Sequence, residues 1–169
     1  MTTAMRFVRF FGEIGMDDIE LVGGKNASLG EMYRGLTPRG IRVPNGFAVT
    51  AGAYRYMLER AGAGPKLRSA LDGLDINDIE DLARRSRMAR EIVLGCAFPD
   101  DLSAEIVAAY ARLQEEYGAG LTLAVRSSAT AEDLPTASFA GQHESFLNIA
   151  GEAQLLDAVR RCFASLFLD

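Results

Sequence analysis

No stretch of this 169-residue chain approaches the ~18 consecutive apolar residues that a membrane span requires. The opening segment MTTAMRFVRFFGEIG carries arginines within its apolar part and no small-residue cleavage site after a long apolar core, which argues against a secretory signal. Cysteine is scarce. Cys96 and Cys162 stand far apart without metal-ligand spacing, each in apolar, helix-like surroundings where a reduced, packed thiol is the default. A cytoplasmic location is therefore the expectation. Basic charge is in deficit as well: 18 Lys and Arg against 23 Asp and Glu leave a net charge of −5 and a pI near 5.0. Such a chain has no overall field for nucleic acid, so any phosphate must be bound by a local cluster. Neither nucleic acid nor a membrane is an expected partner. There is no internal repeat, low-complexity tract or clear linker, and histidine occurs once, at His143.

What is present suffices for a folded core. A hydrophobic content of 49% lets the chain bury its apolar groups in one domain or in two small lobes. Aromatic and β-branched runs predict strands near residues 6–11, 46–50, 121–126 and 144–149, forming a small sheet under about five helices. The fold class is mixed, α+β. Helical spacing puts Ala27, Leu29, Met32, Tyr33 and Leu36 on one face, with Gly30 a cost of ~1 kcal/mol that close packing has to offset. Thr50 is placed to cap the helix that starts at Ala51. Residues 75–95 give Ile76, Ile79, Leu82, Ala83, Met88, Ile92 and Val93 at helical offsets, and Arg84, Arg85, Arg87 and Arg90 read as a solvated face. Asp101 or Ser103 is expected to cap the next helix, with Ala104, Val107, Ala108, Ala111 and Leu113 on its apolar side. In the final helix Leu155, Leu156, Val159, Cys162, Phe163, Leu166 and Phe167 form the buried side.

Two segments have the chemistry of anion binding. Residues 121–148, LTLAVRSSATAEDLPTASFAGQHESFLN, lead from a strand into an arginine, two serines and a small-residue, acidic loop. Arg126 offers a fixed fork of donors, and the Ser and Gly positions let backbone N–H groups approach closely. Residues 22–31, VGGKNASLGE, set a Gly pair and Lys25 at the start of a helix, where exposed amides, the positive helix end and an ammonium converge. The second is not a Walker A loop, because the GxxxxGK[ST] spacing is absent and Asn26 follows the lysine. A polar hairpin with a surface arginine, and a Gly-rich turn with a surface lysine, account for the same residues taken singly.

Taken together, VGGKNASLGEM, VPNGFAVTAGAYRYML and AVRSSATAEDLPTASFAGQHESFLN, in that order and spacing, resemble one family. They are similar to the amino-terminal part of the ATP-binding domain shared by phosphoenolpyruvate synthase, pyruvate phosphate dikinase and rifampin phosphotransferase. The resemblance runs over nearly the whole chain. RSSATAEDLP, ASFAGQ and RRCFASLF look closest to the synthase branch, and rifampin phosphotransferases share most of that wording.

The resemblance implies an ATP-grasp-type nucleotide-binding domain, of which residues 1–169 would be the amino-terminal lobe. It implies that Lys25 and Arg126 bind ATP phosphates and that Gly141 and Ser145 line the nucleotide cleft. It implies Ser127, Ser128, Glu132, Asp133 and Gln142 as further ATP-binding candidates, the first four shaping the loop near the phosphates. Members of this kind pass a phosphoryl group from ATP to a histidine on a separate domain, then to pyruvate or another acceptor such as a rifamycin, with Mg²⁺ required. The second lobe with its metal-binding carboxylates, the phosphohistidine domain and the pyruvate-binding barrel have no counterpart in this sequence. The chain is thus expected to be a fragment that does not turn over ATP alone, or a truncated module that binds nucleotide or a partner without chemistry. An exposed apolar face is expected where the missing lobe would dock, with self-association as its consequence. His143 is read as a locally hydrogen-bonded residue and not as the phosphate carrier. Glu132 and Asp133 read as loop-shaping, and Phe139 and Phe146 as packing residues.

Overall fold

The computed structural model describes residues 7–75, 77–130 and 144–167. Among these residues the order is β1 (Val8–Phe10), α1 (Ile19–Val22), α2 (Gly24–Leu36), β2 (Phe47–Val49), α3 (Ala51–Arg60), α4 (Ala63–Leu71), α5 (Ile79–Leu94), α6 (Asp100–Tyr117), β3 (Leu123–Arg126), β4 (Ser145–Ile149) and α7 (Glu152–Ala164). The class is mixed helix and strand, as expected. The single sheet is not: among the described residues β1 pairs with β2 and β3 with β4, in two antiparallel ribbons. Strands of three to five residues carry too little pattern to say which of them pair. The described parts of Met1–Ala53, Asp100–Leu121 and Ser128–Gly141 make one compact unit. Those of Tyr54–Pro99, Thr122–Ser127 and Gln142–Asp169 make a second.

In the first unit β1 and β2 align Val8 with Val49 and Phe10 with Phe47, whose rings meet edge-on at 6.0 Å. The backbone N–H groups of Phe7 and Val8 both donate to Glu105 Oε1 of α6, the second at 2.7 Å. That carboxylate gives the amides of a short strand the acceptors that buried backbone requires. Arg112, on the same helix, lies 4.2 Å over the Phe10 ring. The buried side of α6 is Leu102, Ile106, Ala109, Tyr110 and Leu113. Ala104, Ala108 and Ala111 are exposed, because in an alanine-rich helix the few large residues choose the face. The helix also begins at Asp100, so Asp101 and Ser103 lie inside it. A small core of Ile14, Val22, Ala27 and Ala48 sits beneath α2, with Phe11, Ile19 and Leu21 around it. Gly30 is where that core touches the α2 backbone, whereas Met32 is 43% exposed, against expectation. Thr50 Oγ1 accepts the Ala53 N–H at 3.3 Å, the predicted cap at the start of α3.

In the second unit α5 packs on α4 and α7. Asp78 caps α5 by accepting the Glu80 and Asp81 N–H groups. The buried positions of α5 are Ser86, Ala89 and Val93, while Ile79 is 80% exposed and Ile76 lies outside the described residues. The arginines are not all solvated. Arg85 pairs with Asp81 at 2.8 Å and donates to the carbonyls of Ala70 and Asp72, closing the end of α4. Burial raises the Cys162 thiol to about 12, helped by nearby Glu144, and raises the Tyr54 phenol to about 12, helped by Cys96. Both cysteines are free and buried, as expected. In α7 the buried residues are Leu155, Ala158, Val159, Cys162 and Ala164, and Leu166 beyond it is 47% exposed where burial was expected. Among the described residues no helix is long and apolar enough to cross a membrane.

Candidate functional site

The Gly-Gly-Lys segment is built around one glycine. Gly23 ends α1, donating its N–H to Ile19 O at 2.8 Å, and starts α2, accepting the Ala27 N–H at 3.0 Å. Joining two helices through one residue forces its backbone to φ 80, ψ 159, a region essentially reserved for glycine. Lys25 follows as the second residue of α2 and is exposed. It belongs to the first turn, whose free amides and positive helix end favour an anion. Ser128 reaches the same turn: its Oγ accepts the Asn26 N–H at 3.3 Å. The Asn26 side chain turns the other way and donates to Val22 O at 2.9 Å. Sequence reasoning places Ser128 beside the phosphates but misses this contact. The available signal was a thirteen-residue helix whose preceding residue, Gly23, has no side chain to cap it.

In the second unit the ribbon β3–β4 sets Arg126 directly opposite Ser145. Opposed residues of neighbouring strands share a face, so these two predicted site residues come together, and both are exposed. The adjacent pair, Val125 and Phe146, faces the other way. On that side α7 covers the ribbon, and Arg161 stacks 4.4 Å over the Phe146 ring. Phe146 is thus a packing residue, as read from the sequence.

A bulge lies further along this ribbon. Leu123 pairs with Ile149 and Val125 with Phe146, so Leu147 and Asn148 together oppose Ala124. Asn148 takes the left-handed conformation, φ 57, which asparagine tolerates better than most residues. The extra residue lets Phe146 and Ile149 both turn inward while Ser145 and Leu147 remain outside. Next to Arg126, Ser127 is 8% exposed, and its Oγ has no hydrogen-bond partner among the described residues. Three consecutive residues therefore have three environments: Arg126 exposed on the ribbon, Ser127 buried, and Ser128 bonded to α2.

Glu132, Asp133, Gly141 and Gln142 lie outside the described residues, as do Phe139 and His143. Among the described residues no three His, Cys, Asp or Glu side chains stand together to hold a metal ion. Those residues supply no such cluster for the Mg²⁺ that the resemblance implies.

Comparison with known proteins bears on the whole chain. The family model for the pyruvate phosphate dikinase, AMP/ATP-binding domain, matches residues 19–169. Phosphoenolpyruvate synthase of Helicobacter pylori is 49% identical over 166 residues, covering 98% of this chain and 20% of the relative. The Synechocystis sp. enzyme of the same name is 49% identical over 96% of the chain and 20% of its own length. That of Escherichia coli is 46% identical over 96% of the chain and again 20% of its own length. The chain thus spans about a fifth of the length of these relatives. A match over nearly all of its residues places it in the family of the pyruvate phosphate dikinase AMP/ATP-binding domain.

Proposed function

We propose that this chain is the ATP-binding part of a phosphoenolpyruvate synthase-like phosphotransferase. The overall reaction would convert ATP, pyruvate and water to AMP, phosphoenolpyruvate and phosphate through a phosphohistidine carried on another domain. The observation that carries this reading is the likeness of nearly the whole chain to proteins named phosphoenolpyruvate synthase. On this reading residues 1–169 are the amino-terminal lobe of an ATP-grasp-type domain, and Lys25 and Arg126 are phosphate-binding side chains. Ser145, opposite Arg126 in register, is the third member, with Gly141, Gln142, Glu132 and Asp133 in the connecting loop.

The chemistry asks for this kind of residue. Phosphoryl transfer is driven by positioning and by neutralising charge that spreads over the phosphate oxygens, so fixed cations matter more than a nucleophile in this part of the protein. Arg126 supplies two parallel donors to one phosphate, and Lys25 a compact charge beside the first amides of α2. Ser145 adds a hydroxyl donor beside the guanidinium.

The test is pyruvate-dependent formation of AMP by the full-length protein. Wild type is expected to form AMP only with pyruvate present, and Lys25→Ala and Arg126→Ala each to lose at least tenfold in kcat/KM, the scale of a lost charge-assisted contact. AMP formation that is indifferent to pyruvate would exclude this acceptor. Unchanged kinetics in both variants would remove the two side chains from the site.

A further inference from the structure

Helix α2 begins without a cap of its own, since Gly23 has no side chain to offer its first amides. The acceptor comes from 102 residues further on: Ser128 Oγ takes the N–H of Asn26, the third residue of the helix. This is the hydrogen bond an N-cap serine makes, supplied by a distant segment. Gly23 makes room for it. A Cβ at that position would stand 2.3 Å from Ser128 Oγ, 2.5 Å from the Ser128 carbonyl oxygen and 2.6 Å from the carbonyl carbon. The contact is therefore between backbone and backbone as well as through the hydroxyl, and Gly23 is buried. On its other side the same turn is tied to α1 by the Asn26 side chain.

We propose that Ser128 is a positioning residue, which caps α2 from a distance and so holds the turn that presents Lys25. The proposal rests on the reading of Lys25 as a phosphate-binding side chain, and it changes the role of Ser128 from a nucleotide contact to a support. Of the hydroxyl's capacity one lone pair is committed to Asn26 before any nucleotide arrives. Ser128→Ala then acts on ATP through Lys25, while Ser128→Thr keeps the oxygen and the function.

Two measurements on the full-length protein test this. The first is hydrogen exchange, read by mass spectrometry on the peptide that holds Gly24 to Ala27, with no nucleotide present. Ser128→Ala is expected to speed exchange there about fivefold, the factor that a cap of ordinary strength represents, and Ser128→Thr to leave it as in wild type. Unchanged exchange in Ser128→Ala overturns the cap. The second is ATP affinity in a double-mutant cycle with Lys25→Ala. Ser128→Ala is expected to weaken ATP about three- to fivefold in wild type and to change little once Lys25 is gone. An equal loss in both backgrounds overturns the route through Lys25. If Lys25→Ala alone leaves ATP affinity unchanged, the phosphate reading fails and the positioning role with it, whatever the exchange shows of the cap.

Discussion

Replacing Gly30 by alanine should destabilise the protein although the same change five residues later in the same helix should stabilise it. Both glycines lie in α2, and in an exposed helix interior alanine is favoured over glycine by ~1 kcal/mol. At Gly35 nothing stands within 4 Å of an added Cβ, so Gly35→Ala should gain roughly 0.5–1 kcal/mol. At Gly30 the added Cβ would lie 2.5 Å from the Ile14 carbonyl oxygen, 2.6 Å from Ile14 Cγ1 and 3.0 Å from the carbonyl carbon. Ile14 cannot retreat cheaply. It is 1% exposed, it belongs to the core with Val22, Ala27 and Ala48, and its carbonyl faces Arg34 Nη1 at 3.4 Å. Overpacking of this kind costs ~1–3 kcal/mol, which exceeds the propensity gain. The net expectation is a loss of about 1 kcal/mol at Gly30 and a gap of about 2 kcal/mol between the variants. Urea denaturation followed by far-ultraviolet circular dichroism reads this as midpoints displaced in opposite directions at equal slope. Midpoints that rise together would refute the close packing of α2 on Ile14.

Three further outcomes are expected. Gly23→Ala combines a backbone region that costs ~1–3 kcal/mol with a collision against the Ser128 backbone, so Ser128→Ala should not rescue it, as thermal denaturation of the double variant will show. Glu105→Ala removes the carboxylate that accepts the Phe7 and Val8 N–H groups and should cost ~1–3 kcal/mol in a urea titration, whereas loss of an exposed carboxylate would cost almost nothing. Tyr54 and Cys162 bind their protons more tightly folded than unfolded, both rising to about 12. The stability this contributes is present at neutral pH and is lost as pH climbs from the ordinary thiol and phenol range towards 12, so urea midpoints should fall in that alkaline window and not at pH 6–8.

The sequence and the structure agree where chemistry is local. Strands fall at the predicted aromatic and β-branched runs, Thr50 caps α3, and Cys96 and Cys162 are packed thiols. Helix faces are less legible where small residues dominate: α6 turns on Leu102, Ile106 and Leu113, and the alanines expected inside face solvent. Pairing of strands is less legible still. Nothing within residues 8–10 or 123–126 indicates which strand each pairs with, because pairing depends on groups elsewhere in the chain. At the candidate site the residue types were readable, as was the chemistry of a lysine at a helix start and an arginine at a strand end. The register of Arg126 with Ser145 depends on where the β4 bulge falls, and the Ser128 bond to α2 spans 102 residues. Neither leaves a mark in local spacing.

On the proposed function, Lys25 and Arg126 bind the phosphates of ATP. Calorimetric titration of the full-length protein with ATP, and separately with inorganic tripolyphosphate, tests it most directly. Lys25→Ala and Arg126→Ala are each expected to weaken both ligands by at least tenfold, since the lost contacts are to phosphate and not to the base. Variants that bind ATP and tripolyphosphate as wild type does would contradict it.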